Sequence, residues 1–148
     1  MTDDLSRRVG AYARLYETLS PRTVPSLGDH LSEYVRFKDP FNDVTGVAAV
    51  AAIFKDMFTR VHEPRFKVHH WALDGAIAYL RWSFSFRRKP SARAWTIDGV
   101  SEIAFDEAGL IAYHIDHWDA ASQLYVRLPL IGIAIRALAR RLAAPAKP

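Results

Sequence analysis

The 148-residue chain contains no cysteine. That excludes disulfides, thiolate-bound metals, iron–sulfur clusters and a cysteine nucleophile, and it points to a reducing cytoplasm. There is no Gly-x-Ser-x-Gly elbow and no glycine-rich phosphate loop, so neither serine-hydrolase nor P-loop chemistry is expected. No uninterrupted apolar run reaches membrane-spanning length. The opening Met1-Thr2-Asp3-Asp4 is acidic and runs straight into a helical pattern, without the basic and apolar regions of a secretory signal. Internal repeats and low-complexity segments are also absent.

What is present reads as a single globular domain over 1–148, with 50% apolar and 24% charged residues. The net charge is +4 and the isoelectric point about 9.6. The excess is local. It collects in Arg87-Arg88-Lys89-Pro90-Ser91-Ala92-Arg93 and in a C-terminal segment carrying Arg127, Arg136, Arg140, Arg141 and Lys147. Without interleaved exposed aromatics or a recognisable binding module, this charge reads as solvated surface plus a basic tail, and no nucleic-acid partner is expected.

Helical spacing of Leu5, Val9, Tyr12, Tyr16 and Leu19 predicts an amphipathic first helix, capped by Thr2 or Asp3 and ended by Ser20-Pro21. A short helix is expected over 24–31 and a strand over 33–38, stopping at Asp39-Pro40. Thr45 is placed to cap a third helix with a stripe of Val47, Val50, Phe54, Met57, Phe58 and Val61, closed by Pro64. The period then changes to two. Strands are expected over 66–73, 76–87, 94–105 and 110–118, with hairpin turns at Asp74-Gly75 and Asp106-Glu107-Ala108-Gly109. An amphipathic basic helix follows Pro129, over 129–143, and 144–148 is expected to fray. Helices segregated from an antiparallel meander define an α+β domain: a curved antiparallel sheet packed against N-terminal helices, enclosing a cone-shaped pocket.

Two carboxylates sit where local composition would not place them. Asp39 ends an alternating apolar run, and Asp116 lies inside the last strand. An acid on the apolar side of a strand costs several kcal/mol unless it is paired, hydrogen-bonded or neutralised. Either can act as a general base, with Tyr16 or His114 donating a hydrogen bond to developing negative charge. Each also has a structural reading: Asp39 as a turn residue bonding backbone amides, Asp116 as a partner of Arg81 or a histidine, and Tyr12 and Tyr16 as core tyrosines. Alternation puts His114, Asp116 and Trp118 on one side of the last strand. It puts Trp95, Ile97, Gly99, Ser101 and Ile103 together on the strand before, and His70 with Phe66, Val68 and Ala72. The residues expected to line the pocket are Phe41, Phe58, His70, Arg81, Trp95, Ser101 and Trp118. His114-x-Asp116, His117-x-Asp119 and His69-His70 bring metal-ligating types close together, but no recognised ligand spacing joins three or four of them, and no metal is expected.

The element order, the strand ending Phe37-Lys38-Asp39-Pro40, the Thr45-Gly46 helix start and the segment Phe105-Asp106-Glu107-Ala108-Gly109-Leu110 resemble the SnoaL-like, ketosteroid-isomerase-like branch of the nuclear transport factor two-like superfamily. The resemblance covers nearly the whole chain and implies the cystatin-like roll of that superfamily. It implies Asp39 as general base, Tyr16 or Tyr12 as oxyanion donor, and Ser101 near the place of a later-strand acid. The last strand is similar to limonene-epoxide-hydrolase relatives at Asp116-His117-Trp118-Asp119 and at Leu128-Pro129-Leu130-Ile131-Gly132, with Arg81-Trp82-Ser83 nearest their Arg-x-Asp pair. SnoaL-type polyketide cyclases imply Asp116 or Asp119 as the acting acid. The implied function is binding of a small, largely apolar molecule (a lipid, terpenoid, steroid-like or polyketide-like compound), with cofactor-free acid–base chemistry of isomerase, cyclase or epoxide-hydrolase type, in a homodimer formed through the sheet. The alternatives are a non-catalytic carrier, or a membrane-peripheral protein that uses its basic terminal helix.

Overall fold

The computed structural model describes residues 2–144, with backbone alone at Thr2. The expected Thr2 cap and the 145–148 part of the expected frayed end lie outside the described residues. Two compact units meet in sequence at Trp118/Asp119.

The first unit runs α1 (Thr2–Glu17), a 3₁₀ turn (Val24–Asp29), β1 (Leu31–Lys38), β2 (Asp43–Thr45), α2 (Val47–Arg60), β3 (His62–Asp74), β4 (Ile77–Arg87), β5 (Trp95–Phe105) and β6 (Ile111–His117). The six strands form one open sheet in the order β2-β1-β6-β5-β4-β3. This is the α+β architecture expected from the sequence, with one correction to the antiparallel sheet: β1 and β6 pair parallel. Parallel neighbours need a long crossover, and here everything from β2 to β5 supplies it. Register irregularities in the β1–β6, β3–β4 and β5–β6 pairs bend the sheet.

α1 presents Val9, Tyr12, Ala13, Leu15 and Tyr16 to the core, and α2 presents Val50 and Phe54. They meet Leu31, Val35 and Phe37 of β1, Ala78 and Leu80 of β4, Ile103 and Phe105 of β5, and Ile111 of β6. Trp82, Phe86 and Ile97 centre a second apolar cluster with Val61, Trp95 and Trp118.

Four local expectations are corrected. The expected second helix is a 3₁₀ turn that ends at Asp29. Thr45 does not cap α2; it pairs with Arg36 as the end of β2, and Gly46, at φ 99°, takes the cap position that a side chain would resist. Pro64 does not close α2, because Val61 is already extended. Pro64 instead sits in β3, an edge strand, where a missing N–H disrupts no ladder. Finally, a bulge between Val68 and His70 breaks the alternation, so His70 pairs with Arg81, not with the face of Phe66 and Val68.

The second unit is α3 (Ala120–Gln123), a 3₁₀ turn (Tyr125–Arg127) and α4 (Ile131–Leu142). Asp119 caps α3 by accepting from the amides of Ala121 and Ser122. Gly132 of α4 lies so close to Val126 that a Cβ there would collide with the Val126 carbonyl, and Arg136 donates to that same oxygen at 2.7 Å.

Gly99 pairs with Trp82 across β4 and β5, and a Cβ on it would stand 2.5 Å from the indole ring. Gly99→Ala is therefore expected to displace the indole and lower the unfolding free energy by about 1–3 kcal/mol, read by urea denaturation followed through tryptophan fluorescence. An unchanged midpoint would show that Trp82 moves aside freely.

Candidate functional site

The inner end of the sheet carries one connected polar chain. The Trp82 indole can only donate, and it gives its N–H to Ser101 Oγ at 2.8 Å. Ser101 therefore spends its own proton on Asp116 Oδ1, at 2.5 Å. The carboxylate only accepts, so His114 Nε2 carries a hydrogen and donates to the same Oδ1 at 2.8 Å. In the neutral imidazole this leaves Nδ1 as the acceptor for the Tyr12 hydroxyl, 2.9 Å away. With the Tyr12 proton committed, the 3.4 Å contact between the Tyr12 and Tyr16 hydroxyls takes its hydrogen from Tyr16. Every proton in the chain points toward one carboxylate.

Strand geometry places these groups. Ser101 of β5 and Asp116 of β6 are cross-strand partners, and Trp82 reaches Ser101 over Gly99. His114 and Asp116 are two residues apart and so share a face. Tyr12 and Tyr16, one helical turn apart on α1, cover them. Tyr16 stacks on the His114 ring at 5.6 Å, and Tyr12 meets it edge-on. The His114 side chain is 1% exposed and that of Asp116 is 14% exposed.

Both bonds to Asp116 use Oδ1. Oδ2 has no protein partner among the described residues, and no buried side-chain oxygen or nitrogen is left unsatisfied. Oδ2 is thus an anchored, accessible acceptor. Burial pushes the Tyr12 and Tyr16 hydroxyls far above the ordinary tyrosine range, with the Asp116 charge adding to it, so both are donors at any working pH.

Tyr12, Tyr16, Phe66, Val68, Leu80, Trp82, Ser101 and His114 surround a cavity of about 10 Å³, the space of one water. Tyr16 and Phe66 also line an open cleft of about 800 Å³, together with Glu17, Thr18, Leu19, Arg65, Lys67, His69, Ser83 and Ser85. The cone expected from the sequence is therefore filled with aromatic side chains at its centre, and the larger space lies beside β3.

Of the residues singled out from the sequence, the structure brings Asp116, His114, Tyr16 and Ser101 together. Asp39 is elsewhere in its bonding: Oδ1 accepts from the amides of Phe41 and Asn42, and the Asn42 side-chain amide bonds both oxygens. That is the turn role of an aspartate before proline. Trp95 and Trp118 join the second apolar cluster, and Phe41 lies edge-on to Trp118 at 5.6 Å. Phe58 packs against the main core. Arg81 and His70 are exposed cross-strand partners and stand on the face of the sheet away from Leu80 and Trp82. Asp119 is a helix cap whose carboxyl is held below the usual range by hydrogen bonds from Ser122. Among the described residues no three His, Asp or Glu side chains gather as a metal would require. Sequence reasoning missed Trp82 as a donor and gave Tyr12 second place to Tyr16. The available signal for the chain was Ser101, a hydroxyl on a strand face otherwise made of Trp95, Ile97 and Ile103.

A family model described as the SnoaL-like domain matches residues 12–114. The chain belongs to the SnoaL-like family. The match begins at Tyr12 and ends at His114, so it spans the polar chain up to the imidazole. Solved structures agree on the fold. An NTF2-like protein of unknown function from Burkholderia pseudomallei K96243 has a TM-score of 0.67 at 20% identity, with 78% of this chain and 92% of that one covered. A protein of ketosteroid-isomerase-like fold from Catenulispora acidiphila, solved with trimethylamine, gives 0.66 at 12% identity, covering 79% and 88%. A Shewanella denitrificans OS-217 protein, provisionally described as a SnoaL-like polyketide cyclase, gives 0.64 at 16% identity, covering 81% and 96%. At these identities the likeness establishes the SnoaL-like fold and not its chemistry. Among curated proteins none matches the sequence.

The raised hydroxyls make a pH prediction. In the folded SnoaL-like domain Tyr12 and Tyr16 keep protons that the unfolded chain releases near pH 10. Their contribution to stability is complete below that pH and is lost as pH rises through and above it, by up to about 1.4 kcal/mol per pH unit for each hydroxyl. Urea midpoints measured from pH 8 to 11 are expected to fall above about pH 10, and the fall should be shallower in Tyr12→Phe. An equal slope in the variant would contradict the burial argument.

Proposed function

We propose that this SnoaL-like protein binds a small molecule with a mainly apolar body and one carbonyl oxygen, and moves a proton on it with Asp116. The observation that carries the reading is the division of labour within that carboxylate. Oδ1 is fixed by Ser101 and His114, while Oδ2 has no protein partner. A general base needs a held geometry and a lone pair left open to the substrate, and this arrangement supplies both. His114 and Ser101 position the base. Tyr16 ends the chain with its longest bond, 3.4 Å, so its proton is the one most easily turned to a ligand oxygen.

The step is an enolisation. Asp116 Oδ2 takes a proton from the carbon beside the carbonyl, the C–H electron pair becomes the enolate, and the charge on oxygen is met by Tyr16. Return of the proton at a different carbon gives an isomer; attack of the enolate carbon on a second carbonyl closes a ring. The 10 Å³ cavity admits no more than the reacting oxygen, whereas the cleft has the volume of a ligand site. The two spaces share Tyr16 and Phe66, so displacement of the Phe66 ring joins them.

The test is deuterium uptake at the α-carbons of 2-tetralone in D₂O, followed by proton NMR. Asp116→Asn keeps an oxygen for Ser101 and His114 and is expected to stay folded while exchange falls about 100-fold or more toward the buffer rate. Asp39→Asn, whose hydrogen bonds lie in the turn after β1 and whose charge is the smallest influence on Tyr16, is expected to stay within a few-fold of the parent rate. Exchange that is no faster than buffer with the parent protein, or that survives in Asp116→Asn, would end the proton-transfer reading and leave a carrier.

A further inference from the structure

The charge of the chain is segregated along its length. After Asp119 the sequence holds Arg127, Arg136, Arg140, Arg141 and Lys147 and no acidic residue, while residues 1–119 hold 15 basic and 16 acidic side chains. The whole net positive charge therefore belongs to the last 29 residues. The proton-transfer site makes no use of it.

α4 arranges this charge in a specific way. Ile131, Ile135, Leu138 and Leu142 recur at intervals of four, three and four residues and form one stripe. Ile131 is 52% exposed, Leu138 55% and Leu142 78%, and Leu130, just before the helix, is 79% exposed. Arg136 and Arg140, also four apart, lie on the opposite side of the helix. Leu130 adopts φ 63°, a left-handed backbone that disfavours a branched side chain, and it nonetheless stays outside the core. Gly132 and Arg136 tie the helix to Val126 within its own unit.

A large aliphatic stripe whose far side carries Arg136 and Arg140 beside a single exposed Ile133, with no acid, fits one kind of surface well. We propose that α4, together with Leu130, lies in the interface of a negatively charged lipid membrane, with its stripe among the upper acyl chains and its arginines at the headgroups. A second copy of the chain is a poorer occupant. Stripe-to-stripe packing would leave Arg136 and Arg140 on the outer sides, with no acidic residue in either segment for them to meet. Spanning is not available either: among the described residues no helix is long and apolar enough to cross a membrane. The inference is independent of the Asp116 reading.

The experiment is co-sedimentation of the full chain with phosphatidylcholine vesicles and with phosphatidylcholine–phosphatidylglycerol vesicles at a ratio of roughly 2:1. Partitioning into the anionic vesicles is expected to exceed that into the neutral ones about tenfold or more, and to fall in high salt. The double variant Leu138→Gln/Leu142→Gln should abolish it, and Arg140→Gln/Arg141→Gln should reduce it about tenfold, with circular dichroism confirming that both stay folded. Equal binding to both vesicle types, or binding untouched by either variant, would overturn the proposal. So would a dimer, seen by sedimentation velocity without lipid, that Leu138→Gln/Leu142→Gln dissolves, since the stripe would then belong to a second copy.

Discussion

The hydrogen bonds that converge on Asp116 Oδ1 are the constraint on which the inner end of this fold depends. Ser101 and His114 fix the oxygen directly; Trp82, Tyr12 and Tyr16 act through them. Together these residues come from α1, β4, β5 and β6, so one carboxylate ties the first helix to the central strands. Each bond adds only about 1 kcal/mol net, but a buried donor left alone costs about 1–3 kcal/mol, so the chain is favourable only when complete. It is complete here, with no buried polar side-chain atom unsatisfied among the described residues. Gly99 belongs to the same constraint, because without its missing side chain the Trp82 indole could not lie where its N–H meets Ser101.

The same packing decides what the interior can hold. Rings of Tyr12, Tyr16, Phe37, Phe54 and Phe66 interlock edge to face around His114 and reduce the inner space to the volume of one water. The wide space is displaced to the β3 edge. There Glu17, at the end of α1, accepts the Val68 N–H and covers part of a strand edge that would otherwise be open to pairing. A deep polar anchor and a lateral cleft divided by two aromatic rings suit a ligand whose oxygen is recognised by chemistry and whose body is recognised by volume.

Much of this was legible in the sequence, and the failures have definite causes. Helical spacing found the buried faces of α1 and α2, and alternation put His114 with Asp116 and Ser101 with Ile97 and Ile103. Alternation failed at His70 because it assumes an unbroken strand, and one inserted residue exchanges the faces beyond it. The parallel β1–β6 seam was hidden because a crossover of this length leaves no local mark. At the Thr45-Gly46 helix start the hydroxyl of Thr45 suggests the cap, yet the residue that must take a positive φ is the glycine. Asp39 supported two readings, and the sequence held no means of choosing. The structure adds the hydrogen bonds of the turn reading: the Asn42 amide and side chain bond both carboxylate oxygens.

Burial, more than residue type, separates Asp116 from its look-alikes. The other face of the sheet carries a second relay of the same form: His69 Nε2 meets Ser83 Oγ at 2.6 Å, and Ser83 donates to Asp98 at 2.6 Å. In residue types and order it parallels Trp82, Ser101 and Asp116. Asp98, however, is exposed, so solvent screens its charge, and such surface contacts contribute little. Asp116 has its partners on Oδ1 at 14% side-chain exposure, and one of them, His114, is 1% exposed, so less water competes for those bonds. Two serine–aspartate pairs with near-identical geometry thus differ in what they can do to a bound molecule, and the difference follows from which side of the sheet α1 and α2 cover.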